Sequence, residues 1–299
     1  MKCIIYGTTI VLFLVLRLNE LKGQPFPCGS QLPVPSFSAK QLHLLDSQLL
    51  AAKKAFDEIP NDPDALIWYA RRLGYLARYQ QAIELLTKGI QLHPNDARMY
   101  RHRGHRYLTL RCIDKAIDDF EKASKLVKGK PDETEPDGQP NEANIPTSTL
   151  QSNIYYHLGL AYYLQKNFAK AKGAYEKCLL VSKNPDMYTA TANWYFLTLR
   201  RMGLKNEADR LLASVDFDTP LLENGVYRRL LQLHKEKPSG TDAMHLAKGG
   251  SDVQSATFLY GLYMFLVLNN YNDDATQVKQ KLLSGNQYAS FGYIAAEME

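Results

Sequence analysis

The chain has 299 residues, of which 45% are hydrophobic and 22% are charged. Leu, Ala and Tyr dominate the apolar residues and Val/Ile alternations are few, which favours helices over sheets. The formal net charge of +5 at pH 7 is too small to indicate nucleic-acid binding. The length suits either two globular domains or one continuous array.

The first 23 residues have the pattern of a signal peptide. Lys2 begins a short basic region, residues 4–16 form an apolar run, and residues 17–23 are more polar. An apolar run of this length is too short to span a membrane and is typical of a secretory signal. We therefore expect cleavage near Gly23, a secreted or periplasmic cell-envelope location, and no membrane span in the mature chain. An uncleaved N-terminal membrane anchor is the alternative.

Export would place three cysteines in an oxidising compartment: Cys28, Cys112 and Cys178. The number is odd and no pair has CxxC spacing, so we expect isolated thiols. Cys178 falls at a small, buried position of the repeat described below. A disulfide between Cys28 and Cys112 is the alternative.

An extended leader and a capping helix precede the array. Residues 24–37 are rich in Pro, Gly and Ser and predict the extended leader. Ser38 and Gln41 then form a capping-box pattern at the start of a helix. Apolar residues follow at helical spacing: Leu42, Leu45, Leu49, Ala52 and Phe56. Residues 38–62 are therefore expected to cover the apolar end of the array.

Residues 64–215 repeat with a period of about 34 residues. Large and small residues recur at matching places in three units and more weakly in a fourth. They are Leu66, Tyr69, Ala70, Leu73, Tyr79, Ala82, Leu86 and Gly89; Tyr100, Gly104, Tyr107, Ala116, Phe120 and Ala123; Tyr155, Leu158, Gly159, Tyr162, Phe168, Ala171, Tyr175 and Cys178; and Tyr195, Leu199, Ala208 and Leu212. Small residues let paired helices approach, and aromatic rings fill the space between pairs. The pattern predicts a solenoid.

These positions resemble those of the tetratricopeptide repeat (TPR) family. The resemblance implies an all-α, right-handed superhelix of about four to five helix-turn-helix units with capping helices at both ends. Units 1 and 2 occupy residues 63–128, and units 3 and 4 occupy residues 150–215. Residues 216–299 form C-terminal helices that include a degenerate fifth repeat, in which residues 257–268 pair with residues 275–283.

Residues 129–149 interrupt the array between the second and third units. The segment contains four prolines and almost no apolar residues. It carries acidic residues with no intervening base: Asp132, Glu133, Glu135, Asp137 and Glu142. A structureless loop this long inside a compact array is either disordered or functional. We expect either a solvated flexible loop or a gate in which Asp132, Glu133, Glu135 and Asp137 fold back onto the arginines of the array.

The TPR resemblance implies that the first helix of each unit lines a ligand groove. Carried onto this sequence, the groove residues are Arg71, Arg98, Arg101, His102, His105, Tyr156, His157, Tyr163, Asn193 and Trp194. Residues 97–111 carry five arginines and two histidines without an acid. Because arginine binds carboxylates in a bidentate manner, a basic, aromatic groove suits a protein or peptide with acidic groups. An ordinary solvated basic face is the alternative.

Metals, cofactors and catalysis are not expected. His102, His105 and His157 could share a site, but nearby arginines repel a cation and no carboxylate completes the ligand shell. The sequence lacks the GxSxG elbow, the HExxH helix, the phosphate loop and the CxxC pair. We therefore predict an exported, non-enzymatic scaffold that binds a protein or peptide. The alternatives are an enzyme with dispersed catalytic residues and a small-molecule or glycan-binding module that uses aromatic residues: Trp68, Tyr156, Tyr163 and Trp194.

Overall fold

The computed structural model describes residues 26–245 and 253–299, so the predicted signal peptide lies outside the described residues. The described part contains fourteen helices and, beyond one isolated bridge between Thr134 and Thr149, no β-structure. The helices are α1 (Ala39–Glu58), α2 (Pro63–Tyr75), α3 (Tyr79–Leu92), α4 (Ala97–Thr109), α5 (Ile113–Val127), α6 (Leu150–Leu164), α7 (Phe168–Val181), α8 (Pro185–Arg201), α9 (Lys205–Ala213), α10 (Gly225–Glu236), α11 (Gly240–His245), α12 (Val253–Leu268), α13 (Asn272–Leu283) and α14 (Phe291–Glu297).

Helix α1 begins with the predicted capping box. The Ser38 hydroxyl accepts from the Gln41 amide at 3.2 Å, and the Gln41 side-chain oxygen accepts from the Ser38 amide at 3.0 Å. These two bonds satisfy amides that have no partner within the helix. Leu45 is buried, whereas Leu42 of the expected apolar stripe is 42% exposed. Helix α1 therefore packs against α2 along a narrower stripe than the sequence suggests.

Five helix pairs share one turn geometry. The pairs are α2–α3, α4–α5, α6–α7, α8–α9 and α12–α13, and each turn contains a residue with positive φ: Ala77 (58°), Arg111 (59°), Lys166 (60°), Gly203 (75°) and Asn270 (64°). The next amide then donates to the carbonyl five residues earlier, as from Arg78 to Leu73 and from Tyr271 to Leu266, both at 2.9 Å. This is the Schellman arrangement, which ends one helix and redirects the chain into the next. The prediction of an all-α solenoid of helix pairs is confirmed.

Close helix approach depends on glycine at the predicted small positions. A Cβ at Gly159 would lie 2.6 Å from the fully buried ring of Tyr175, and one at Gly104 would lie 3.0 Å from Phe120. The rings are fixed by their burial, so an added methyl group forces the two helices of the unit apart.

We expect Gly159→Ala to destabilise the protein because of this overlap. Overpacking typically costs about 1–3 kcal/mol in free energy of unfolding, and urea denaturation measures it. Gly173→Ala on α7 is the matched control, because a Cβ there meets no atom within 4 Å. Removing a helical glycine should stabilise the control by up to about 1 kcal/mol. Equal effects at both positions would contradict the packing argument.

The expectation of isolated thiols is wrong for two of the three cysteines. Cys28 and Cys112 form a disulfide across a sequence separation of 84 residues, whereas Cys178 is free and buried. The bond fixes the leader against the α4–α5 turn, where the Gly29 amide also donates to the Leu110 carbonyl at 3.0 Å. This pairing was only the alternative, because no local sequence spacing reports that the leader returns to this turn.

The C-terminal helices fold back onto the array. Helix α10 packs on α8 and α12, and α14 packs on α12 and α13. The guanidinium of Arg111, in the α4–α5 turn, forms a buried ion pair of 2.6 Å with Glu297 of α14. Within residues 26–245 and 253–299 we find no helix with the length and apolar character needed to cross a membrane.

Candidate functional site

The first helices of the units line one face of the array. Helices α2, α4, α6 and α8 contact one another in order, and we call the surface that they form the inner face. Asp96 caps the start of helix α4, and its side chain accepts from the Arg98 amide. Its helical turns then repeat Arg and His, so one element brings several basic groups to the same face.

A buried ion pair joins the insertion loop to the inner face. Nη2 of Arg101 lies 3.0 Å from Oε1 of Glu135, and both side chains are 9% exposed. Nε2 of His102 lies 3.8 Å from the same oxygen. A buried pair is screened less by salt than an exposed one. This pair therefore holds the loop on α4.

Two arginines of α2 bind the main chain of the same loop. Arg71 donates to the Pro136 carbonyl at 2.8 Å, and Arg72 donates to the Gly138 carbonyl at 2.7 Å. Gly138 packs against Tyr75, and a Cβ at Gly138 would lie 1.8 Å from the Tyr75 hydroxyl oxygen. We call the residues that receive the loop the arginine site: Arg71, Arg72, Tyr75 and Arg101.

Three histidines beside the arginine site are held neutral. Burial, followed by the charge of Arg101, lowers the pKa of His102 well below its ordinary value, and burial with Arg106 does so for His105. Burial also lowers the pKa of His157 to about 3. Nη1 of Arg101 donates to Nδ1 of His102 at 3.2 Å. In the part of the chain that the structure describes, no group of three or more His, Cys, Asp or Glu side chains is placed to hold a metal ion.

The C-terminal helices cover the inner face of the third and fourth units. The hydroxyl oxygens of Tyr156 and Tyr227 lie 3.2 Å apart, and those of Tyr163 and Tyr260 lie 2.8 Å apart. Trp194 stacks on Tyr260 with ring centroids 5.5 Å apart. Aromatic residues expected to face a ligand therefore face α10 and α12 instead.

The predicted groove residues do not form one open surface. Seven are buried: Arg101, His102, Tyr156, His157, Tyr163, Asn193 and Trp194. Three are partly buried: Arg71, Arg98 and His105. Arg98 is engaged elsewhere, in ion pairs with Asp64 at 2.5 Å and Asp96 at 2.6 Å. The structure thus brings Arg71 and Arg101 together, and binding of a ligand by the ten residues stays a prediction.

The four predicted gate residues lie in different surroundings. Glu135 pairs with the array, whereas Asp132 caps the start of α6 by accepting from the Gln151 amide at 3.0 Å. Glu133 is exposed. Asp137 is partly buried, and burial raises the pKa of its carboxyl group. The loop is packed on the array, and its action as a gate stays a prediction.

Sequence reasoning missed two members of the arginine site, Arg72 and Tyr75, and the buried Arg111–Glu297 ion pair. Tyr75 follows Arg71 by four residues on α2, so helical spacing was an available signal for a shared face. Arg72 is adjacent to Arg71 in the same helix. Arg111 and Glu297 are separated by 186 residues. No periodicity in the sequence links that pair.

We expect Glu297→Gln to destabilise the protein strongly. The Arg111 and Glu297 side chains are 1% and 2% exposed, so the change leaves a buried charge without its partner. Breaking a buried pair in this way costs about 3–5 kcal/mol in free energy of unfolding, measured by urea denaturation. The control, Asp57→Asn, breaks the exposed Lys53–Asp57 pair, for which about 0–1 kcal/mol is expected. A Glu297→Gln cost as small as that of the control would contradict the assignment.

Comparison with known proteins supports the TPR resemblance. Residues 152–185 match the family model described as Tetratricopeptide repeat. The human protein Tetratricopeptide repeat protein 13 is 34% identical over 99 residues, which are 32% of this chain and 11% of that protein. The chain therefore spans only a small part of the curated relative that it matches.

Two solved structures, MamA and YrrB, are similar to this chain. MamA is 20% identical, with a TM-score of 0.45, over 68% of this chain and all of that chain. YrrB, described as a TPR protein with an unusual peptide-binding site, is 18% identical, with a TM-score of 0.44, over 79% of this chain and 92% of that chain. The helix pairs, the common turn and the matched repeat define the class: an all-α solenoid of the TPR type.

Proposed function

We propose that this protein is an exported, non-enzymatic scaffold that binds a protein or peptide with acidic groups. The observation that carries the proposal is the arginine site, which holds an extended acidic segment of its own chain through Arg101, Arg71 and Arg72. Arginine guanidinium groups that bind carboxylates, together with main-chain hydrogen bonds, are recurring means of peptide recognition. The TPR-type solenoid fits a role in protein binding, and no catalytic family is indicated.

The Cys28–Cys112 disulfide supports the export part of the proposal. Structural disulfides form and persist in oxidising compartments and are rare in the cytosol. Fractionation of the source cells, with thiol alkylation before lysis, tests this part. We expect the protein in the secreted or envelope fraction, with the two cysteines protected from alkylation. A cytosolic protein with both thiols alkylated would contradict it.

Affinity capture tests the binding part. The immobilised full chain is incubated with the secreted and envelope proteins of the source cells, and recovery is compared with that of Arg71→Glu. Arg210→Glu, on an exposed position of α9, makes the same charge change away from the inner face. We expect defined proteins that Arg71→Glu loses and Arg210→Glu retains. Recovery that is equal with all three proteins would contradict binding at the arginine site.

A further inference from the structure

We propose that the arginine site recognises a Glu-Pro-x-Gly segment of a partner protein, and that residues 135–138 of the insertion loop occupy this site as an internal ligand. The inference rests on the proposed function and assigns the ligand class of its site. Each position of the segment except the third is fixed by a separate contact. The partner segment is therefore defined by chemistry that the loop already displays.

The first position requires a carboxylate. Glu135 places Oε1 3.0 Å from Nη2 of Arg101, in surroundings where both side chains are buried. Arg101 lies between neutral histidines, so Glu135 is the acid that balances its charge there. A glutamine at this position loses the charge-assisted bond and leaves the guanidinium buried without a counter-charge.

The second and fourth positions are defined by the main chain. Proline restricts the preceding residue to an extended conformation, which separates the Glu135 carboxylate from the Pro136 carbonyl. Arg71 binds that carbonyl, and Arg72 binds the carbonyl two residues further on. The fourth position favours glycine, because a Cβ at Gly138 would overlap the Tyr75 side chain and force it to shift.

The internal ligand fills the site incompletely. Among the described residues, Oε2 of Glu135 and Nε of Arg101 are buried without a hydrogen-bond partner, and so is Oδ2 of Asp137. Buried polar atoms without partners cost free energy that a better-fitting segment recovers. A partner segment can therefore compete with the loop, since it carries its own carboxylate to Arg101 and leaves no charge unpaired.

The tip of the loop, which comprises the Glu135 side chain and residues 136–141, can leave the arginine site while the base of the loop stays closed. At the base, the Glu135 amide donates to the Ser148 carbonyl at 3.1 Å and the Leu150 amide donates to the Glu133 carbonyl at 2.8 Å. Beyond the base, residues 142–146 are exposed. Asn141 and Thr147 bond to Glu223 at 2.5 and 3.3 Å. Release of the tip thus breaks the Arg101–Glu135 ion pair, the bonds of Arg71 and Arg72 to the loop and the Asn141–Glu223 bond.

Peptide binding to two forms of the full chain tests the proposal. The probe is a fluorescent peptide with the sequence of residues 131–140, and the readout is fluorescence anisotropy. The first form is the unaltered protein, and the second has residues 135–138 replaced by Gly-Ser-Gly-Ser, which leaves the Thr134–Thr149 bridge in place. We expect the second form to bind the peptide at least about tenfold more tightly, because its site is empty.

Changed peptides and a matched variant test the specificity. Glutamine for the glutamate that corresponds to Glu135, or alanine for the glycine that corresponds to Gly138, should each weaken binding at least about tenfold. Arg101→Gln in the loop-replaced form should abolish binding, whereas Arg78→Gln, at an exposed position outside the site, should not change it. Binding that tolerates both peptide changes would overturn the proposal.

The remaining outcomes also decide the question. If the loop-replaced form does not fold by circular dichroism, Glu135→Gln in the intact loop takes its place, and failure of that folded variant to bind the peptide overturns the proposal. Light scattering that shows dimers exchanging their loops would make a second copy the partner and overturn it as well. Successful affinity capture with no peptide binding would reject this inference alone and leave the proposed function standing.

Discussion

Lowering the pH from 7.5 to 5 should remove a large part of the stability of this protein. His102, His157 and His234 are buried and His105 is partly buried, and burial is the first cause that lowers the pKa of each, to about 3 for His157 and His234. Below pH 6.5 the unfolded chain binds protons that the folded chain does not, so the free energy of unfolding falls with pH. His157 and His234 each contribute about 2 kcal/mol at pH 5, together about 4 kcal/mol, and His102 and His105 act in the same direction. Typical stabilities are about 5–15 kcal/mol.

The buried carboxyl groups act in the opposite sense. Burial raises the pKa of Glu297 above its ordinary value of 4.5 and that of Asp119 above 3.8. Their uptake of protons favours the folded state as the pH falls through these raised pKa values, so it does not cause a loss of stability. The fall in stability between pH 6.5 and 5 therefore belongs to the histidines.

Urea denaturation at pH 7.5, 6 and 5 measures this fall, and His234→Leu isolates one contribution. His234 packs between Phe196 and Phe265, with ring centroids 4.4 and 5.4 Å away, and its Nε2 has no hydrogen-bond partner among the described residues. Between pH 7.5 and pH 5, we expect the free energy of unfolding of the variant to fall by about 2 kcal/mol less than that of the unaltered protein. His43→Gln, on an exposed position of α1, controls for loss of a surface histidine. A difference independent of pH would contradict the assignment.

Reduction of the Cys28–Cys112 disulfide should cost about 4–5 kcal/mol in free energy of unfolding, because the bond closes a loop of 84 residues in the unfolded chain. The bond also holds the leader against the array, where Leu32 is buried beside Tyr79 and Leu110. Reduction therefore loosens native packing in addition to freeing the unfolded chain.

The double variant Cys28→Ser/Cys112→Ser separates loss of the disulfide from any other effect of the reductant. We expect its urea midpoint to match that of the reduced natural protein and to be unchanged by added reductant. Cys178 does not confuse the comparison, because burial raises the pKa of its thiol to about 11 and keeps it unreactive near neutral pH. Equal midpoints for the oxidised and reduced natural protein would contradict a stabilising role for the bond.

Local physics explains which features of the fold could be predicted. The capping box at Ser38 and the small position at Gly159 depend on neighbours within one or two helical turns, so their spacing is visible in the sequence. Cys178 is buried, as its small position in the repeat predicts. The repeat period itself follows from helices that must bury one face against the next unit.

The contents of the inner face could not be predicted in this way. Helix spacing places Arg101, Tyr163 and Trp194 on that face, but it does not say what lies opposite them. The structure places Glu135 on Arg101, and Tyr260 on Tyr163 and Trp194, across 97 residues in the tyrosine pair. Residues so far apart meet only when the insertion and the C-terminal helices fold back onto the array. Burial of apolar side chains and pairing of charges favour this arrangement.

Short-range periodicity and composition were therefore enough to predict the helices, the repeat and the basic character of α4. They carry no information on the occupation of the inner face by the chain itself or on the Cys28–Cys112 bond, which appear only in the folded chain. The physical reason is that both depend on long-range closure, whose favourable contacts appear only after the intervening helices have packed.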